Sequence, residues 1–177
     1  MILNQDNTTV LIIDVQEKLV NAVFNKETVL KKADIISKAA SILNLPVFVT
    51  EQYPQGLGET VGKLKQNAKV FVKTAFNALA DENLLEELKK SEKKQVVVLG
   101  IETHICVHQT VVALLQKGFD VTVVSDACGS RSEYEYEYGL TNIKLNGAKV
   151  KTTEMILFEI LKGAKHTNFK DIQALIK

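Results

Sequence analysis

Aliphatic and β-branched runs recur along the chain, separated by segments whose apolar positions return every three or four residues. "TVLIIDV" (9–15) has no polar position before Asp14 once the run begins, the mark of a strand buried on both faces. "NKETVLKKADIISKAASILNL" (25–45) places Val29, Ala33, Ile36, Ala40 and Leu43 at helical spacing, and Pro46 follows its end. "PVFVT" (46–50) and "AKVFVKT" (68–74) predict two more strands, with a Gly- and Pro-containing loop over 51–64. Residues 81–93, acidic early and lysine-rich late, predict a helix that complements its own dipole. "QVVVLG" (95–100), "DVTVVSD" (120–126) and "GAKVKTT" (147–153) bring the strands to six, with helices expected over 105–117, 132–146, 153–163 and 168–177. Strands alternating with helices imply a parallel sheet covered on both faces. The expectation is one three-layer α/β/α Rossmann-like domain with a six-stranded parallel sheet, spanning residues 1–177.

Composition narrows the function classes. Lys and Arg total 22 against 21 Asp and Glu, with no basic block, which argues against nucleic acid as a partner. No apolar run reaches membrane-spanning length, and the amino terminus lacks the basic flank and long apolar stretch of a signal peptide. Two cysteines do not make a disulfide framework, so a reducing, cytoplasmic location is expected.

In such a sheet, ligands bind beyond the carboxyl ends of the strands. The residues that end strands are therefore the candidates: Asp14, Glu51 to Tyr53, Lys73, Glu102 to Cys106, and Asp126 to Arg131. An acid, a lysine and a thiol project towards one rim. "DVQEKLV" after the first strand has no glycine for a dinucleotide turn, and neither a phosphate-cradling loop nor a G-x-S-x-G elbow occurs. The three histidines, His104, His108 and His166, lack zinc-ligand spacing, and no cofactor or metal is expected.

Asp14 in "LIIDVQEKL", Lys73 in "FVKTAF" and Cys106 in "GIETHICV" resemble the motifs of the isochorismatase-like cysteine hydrolases. "TEQYPQGLGETV", "GIETHIC" and "SDACGSR" resemble more narrowly its isochorismatase-domain-containing branch, whose substrates are mostly unassigned. The resemblance runs from about residue 8 to the carboxyl terminus. It implies a catalytic triad of Asp14, Lys73 and Cys106, a cis peptide between Ile101 and Glu102, and an oxyanion hole from the backbone amides of Glu102 and Cys106. Residue chemistry fits those roles: Asp14 as general base and then acid, and Cys106 as nucleophile. Lys73 and a helix amino terminus are expected to lower the thiol pKa. Nicotinamidase-type relatives carry an Asp-x-His metal motif after the second strand, where this chain has "TEQYP", so the expected reaction is metal-independent hydrolysis of a small-molecule amide or related C–N bond.

Other readings stand beside these. Cys106 alone would be a small buried hydrophobe, and Cys106 with Cys128 could form a redox pair. The chain could also be a non-catalytic oligomeric scaffold. Gln16, Tyr53 and Phe76 are assigned to the substrate pocket, with core support as the rival role for Gln16 and Phe76. His104 and His108 are assigned to the helix surface or a subunit contact, and "EYEYEY" (133–138) to a helix start with Tyr134 and Tyr138 on one face. Helix 105–117 is apolar nearly all round, more than one sheet face needs, so a homo-oligomer, at least a dimer, is expected.

Overall fold

The buried runs assemble as their pattern predicts. The computed structural model describes residues 2–177. Strands β1 (Thr8–Ile13), β2 (Val47–Gln52), β3 (Lys69–Lys73), β4 (Gln95–Ile101), β5 (Asp120–Gly129) and β6 (Lys149–Lys151) form one parallel sheet. Its order is β3-β2-β1-β4-β5-β6, so the direction of winding reverses between β1 and β4. Every residue of β1 and β4 is buried, as covering both faces requires.

Helices α1 (Glu17–Ala22), α2 (Lys26–Ile42), α7 (Thr153–Leu161) and α8 (Phe169–Ile176) pack together on one face. The other face carries α4 (Glu82–Lys90), α5 (His108–Gln116) and α6 (Glu133–Leu145), while the single turn α3 (Pro54–Leu57) lies in the loop after β2. Because α7 and α8 pack on α2, they leave the outer flank of α5 uncovered, and Ile105, Val112 and Leu115 are only half-buried there.

Several boundaries differ from the sequence pattern, and three of them have a clear local reason. The helix expected over 105–117 begins earlier, as a π-helical turn over Thr103–Val107, in which the Val107 N–H donates to the Glu102 carbonyl at 3.2 Å. Strand β5 continues three residues past Asp126, because a register shift opposite Val98 and Gly100 lets it rejoin β4 at Cys128 and Gly129. The helix over 81–93 stops at Lys90, where the Ser91 hydroxyl donates to the Leu88 carbonyl at 2.6 Å.

Gly100 sets how closely β1 and β4 approach just below the rim. Its φ is +134°, and a Cβ there would lie 2.0 Å from the Ile13 carbonyl oxygen. Only glycine fits, on steric and on dihedral grounds. Gly100→Ala should cost about 3 kcal/mol or more in urea unfolding. An unchanged unfolding midpoint would show that the two strands have room to separate.

Candidate active site

Three strand ends meet at the carboxyl rim beside the switch point. Asp14 leaves β1 with φ +51°, a left-handed conformation that short polar side chains tolerate better than branched ones. Its carboxylate is fully buried. Oδ1 accepts from the Thr50 hydroxyl at 2.7 Å, and Oδ2 accepts from Lys73 Nζ at 2.7 Å. Lys73, the last residue of β3, also donates to Gln52 Oε1 at 2.6 Å and to the Ala75 carbonyl at 3.2 Å, so its three N–H bonds have three acceptors. Side-chain exposure is 3% at Lys73 and 0% at Asp14, which makes this a desolvated ion pair rather than a surface one.

Cys106 lies inside the π-helical turn after β4, 6% exposed, close enough to the Asp14 carboxylate and the Lys73 ammonium for both charges to act on its thiol. Burial, and after it the negative charge of Asp14, push this thiol up to about 12, while Lys73 acts in the opposite sense. That reverses the expectation of a lowered pKa. The ammonium is already balanced by Asp14, and the helical turn starts at Thr103, so the thiol sits inside the turn and not at its amino terminus. At rest the arrangement is a protonated thiol beside a carboxylate.

The peptide bond between Ile101 and Glu102 is cis. The three residues that follow are each tied to the end of β5 or the segment just after it. Arg131 donates from its backbone N–H and from Nε to Glu102 Oε2, both at 3.0 Å. The Thr103 hydroxyl donates to the Gly129 carbonyl at 3.0 Å, and His104 Nδ1 lies 3.0 Å from the Ser130 hydroxyl. His104 Nε2 also lies 3.6 Å from Glu135 of α6, which places this histidine as a brace between elements and not on an open helix surface.

Gln16 is fully buried and engaged with backbone. Its amide donates to the carbonyls of Gln52 (3.0 Å) and Gly58 (2.7 Å), and its oxygen accepts from the Gln52 N–H at 2.7 Å. These bonds pin the loop after β2 and assign Gln16 to support. Glu51 pins the same loop by accepting from the Thr60 N–H and hydroxyl at 2.8 and 2.7 Å. Burial acts to raise the Glu51 pKa, but these bonds and nearby Lys65 bring it below the ordinary carboxylate value. Tyr53 and Phe76 are exposed, on the loops after β2 and β3. Thr50, which holds Asp14, was not among the sequence candidates, and Gln52, which holds Lys73, stood among them only within the run Glu51 to Tyr53, with no role assigned.

Cys128 is buried in β5, and both cysteines are free thiols. Among the described residues, no group of three or more His, Cys, Asp or Glu side chains comes together as a metal site. A cavity of about 280 Å³ lined by Pro46, Phe48, Lys69 and Glu87 lies at the amino-terminal end of the sheet, away from the thiol. Chemistry, not cavity size, marks the rim as the site.

Comparison with known proteins agrees with the fold. The isochorismatase domain family model matches residues 8–155. Isochorismatase domain-containing protein 2 of Xenopus laevis is 37% identical over 176 residues, covering 98% of this chain and 85% of that one. The structure of the MAR1 ribonuclease from Caenorhabditis elegans superposes with a TM-score of 0.94 at 34% identity, covering 99% of this chain and 92% of the other. The Escherichia coli YcaC protein, described as an octameric hydrolase of unknown specificity, superposes with a TM-score of 0.90 at 24% identity, covering 99% and 95% of the two chains. The chain belongs to the isochorismatase domain family, with a fold shared by hydrolases. No helix among the described residues is long and apolar enough to cross a membrane.

Alkylation by iodoacetamide reads the thiol directly. At neutral pH, Cys106 should react no faster than a free cysteine peptide, and its rate should climb towards about 12 without levelling near the ordinary thiol value of about 8.5. A plateau reached by neutral pH would show a thiolate already present at rest.

Proposed function

We propose that the chain, as one domain over residues 1–177, is a metal-independent cysteine hydrolase that cleaves an amide or related C–N bond of a small molecule. The observation that carries this reading is the buried Asp14–Lys73 ion pair set against the Cys106 thiol at the ends of β1, β3 and β4. Asp14 takes the thiol proton as Sγ attacks the carbonyl carbon. The C=O electron pair moves onto oxygen, where the backbone N–H groups of Glu102 and Cys106 receive it. The oxyanion then collapses, the C–N bond breaks, and the Asp14 carboxyl gives its proton to the departing nitrogen. Water, deprotonated by Asp14, cleaves the thioester to release the acid and restore the thiol. Lys73 pairs with the Asp14 carboxylate before the transfer and faces the thiolate after it.

The mouth supports a small, largely neutral substrate. Tyr53 and Phe76 are exposed apolar side chains on the loops after β2 and β3, and the rim charges of Glu102 and Arg131 oppose each other. The Caenorhabditis elegans relative is described as a ribonuclease. This chain has a formal net charge of +1 and no basic block in its sequence to bind a polyanion, so RNA serves as an arm of the test. We place the protein in the cytoplasm, where both thiols stay reduced. We assign the uncovered flank of α5 to a homo-oligomeric contact, as the octameric YcaC makes plausible for the fold. In sedimentation equilibrium, a species at the 19.6 kDa chain mass alone would contradict that assignment.

A screen of amides, carbamates, hydroxamates and RNA against native protein and Cys106→Ser tests the reaction. Turnover of one C–N substrate by the native protein only is expected. On that substrate, Asp14→Asn and Lys73→Ala should each lose on the order of 10²-fold or more in kcat. Each also leaves one member of a buried pair alone, at about 3–5 kcal/mol, so circular dichroism must first show the variants folded. Cys106→Ser keeps the ion pair and serves where they are not. Native turnover in Cys106→Ser would remove the nucleophile assignment, and RNA as the sole substrate would replace the reaction.

A further inference from the structure

The segment Gly129–Arg131 contacts the nucleophile turn at three successive residues, and one of those contacts involves charge. Glu102 carries a carboxylate beside the backbone amide assigned above to the oxyanion hole. That side chain is only 12% exposed, so water screens it poorly. An anion held there opposes the negative charge that develops on the carbonyl oxygen. Arg131 answers it with two donors on the same oxygen, Oε2, from its backbone N–H and its Nε, each at 3.0 Å. The guanidinium itself is 64% exposed and has no other charged partner among the described ion pairs.

The segment that presents Arg131 is held independently. The Phe24 N–H donates to the Ser130 carbonyl at 3.0 Å, and Asn25 Nδ2 donates to the Cys128 carbonyl at 3.0 Å. A Cβ at Gly139 of α6 would fall 2.9 Å from the His104 backbone nitrogen, so α6 closes on the same turn from the other side. Anchored this way, Arg131 is a fixed countercharge and not a loose surface arginine. The groups that act most on the Cys106 thiol are its own burial, Asp14 and Lys73, while Glu102 is held by Arg131. Ionisation of the nucleophile and neutralisation of Glu102 are therefore separate devices in one turn.

We propose that Arg131 is a positioning residue for acyl transfer. It fixes the Glu102 side chain and cancels its charge so that the Glu102 amide can stabilise an oxyanion. This rests on the cysteine-hydrolase reading above. Two thiol reagents separate the devices. Iodoacetamide is attacked at a saturated carbon, iodide leaves, and no oxyanion forms. With 4-nitrophenyl acetate, Sγ attacks the carbonyl carbon, an oxyanion forms, the C–O bond breaks, 4-nitrophenolate leaves, and Cys106 carries the acetyl group.

In Arg131→Ala, acetylation of Cys106, followed by mass spectrometry, should fall about 10-fold or more while alkylation changes less than about 2-fold. Glu102→Gln in the Arg131→Ala background should restore acetylation to within about 3-fold of native, because no charge is left to cancel. Arg131→Lys should retain an intermediate rate, keeping the charge and the backbone donor but not Nε. Acetylation and alkylation falling together would reduce Arg131 to a packing role, and an unchanged acetylation rate or a failed Glu102→Gln rescue would overturn the proposal. If native Cys106 is not acetylated at all while it still alkylates, the hydrolase reading fails first, and this inference with it.

Discussion

A charge pair buried between strand ends organises this protein. Asp14 follows β1 and Lys73 ends β3, strands that are not neighbours in the sheet, so the ammonium must reach across β2. The residues that end β2 complete the bridge: Thr50 donates to Asp14, and Gln52 accepts from Lys73. Two desolvated charges are costly, and their attraction offsets that cost only when the remaining donors and acceptors are satisfied. Here they are, by one hydroxyl, one side-chain amide and one backbone carbonyl. The loop after β2, pinned by Gln16 and Glu51, keeps those strand-end residues in place.

That pair also decides where the thiol proton rests. A cysteine beside a lone lysine would ionise easily. Beside a lysine already paired with an aspartate, and buried, it holds its proton and is pushed up to about 12. The triad then carries no net charge before proton transfer and none after it, since Asp14 becomes neutral as Cys106 becomes anionic. Transfer within a neutral group of this kind needs little reorganisation of the surroundings. Such a site stays unreactive towards casual electrophiles and becomes nucleophilic when a carbonyl is positioned to accept the electron pair.

Much of this was legible in the sequence, and the reason is periodicity. Apolar runs such as "TVLIID" and "QVVVLG" can only be doubly buried strands, so their order with the intervening helices led directly to the parallel sheet, and strand ends picked out Asp14, Lys73 and Cys106. What stayed hidden depends on distances across the sheet. Thr50 and Gln52 matter because β2 lies between β1 and β3, which strand order in space decides. Burial of the thiol, and the Asp14 charge beside it, both unseen in one dimension, reversed the expected direction of its pKa. The π-helical turn at Thr103–Val107 and the continuation of β5 to Gly129 follow from contacts between residues 102–104 and 129–131, about 26 positions apart. Gln16 reads as a pocket residue by position, yet its three backbone bonds make it a tie.

The central claim is that burial and the Asp14 carboxylate hold the proton on Cys106 against the pull of Lys73, and the S–H stretching band in the infrared reads that proton directly. At neutral pH the native protein should show a band that disappears in Cys106→Ala, the signature of a protonated thiol at this position. In folded Asp14→Asn, Lys73 loses its buried counterion, the thiolate becomes the anion that replaces it, and the band should be lost at the same pH. A native protein with no Cys106 S–H band at neutral pH, or an Asp14→Asn protein that keeps the band unchanged, would contradict the account.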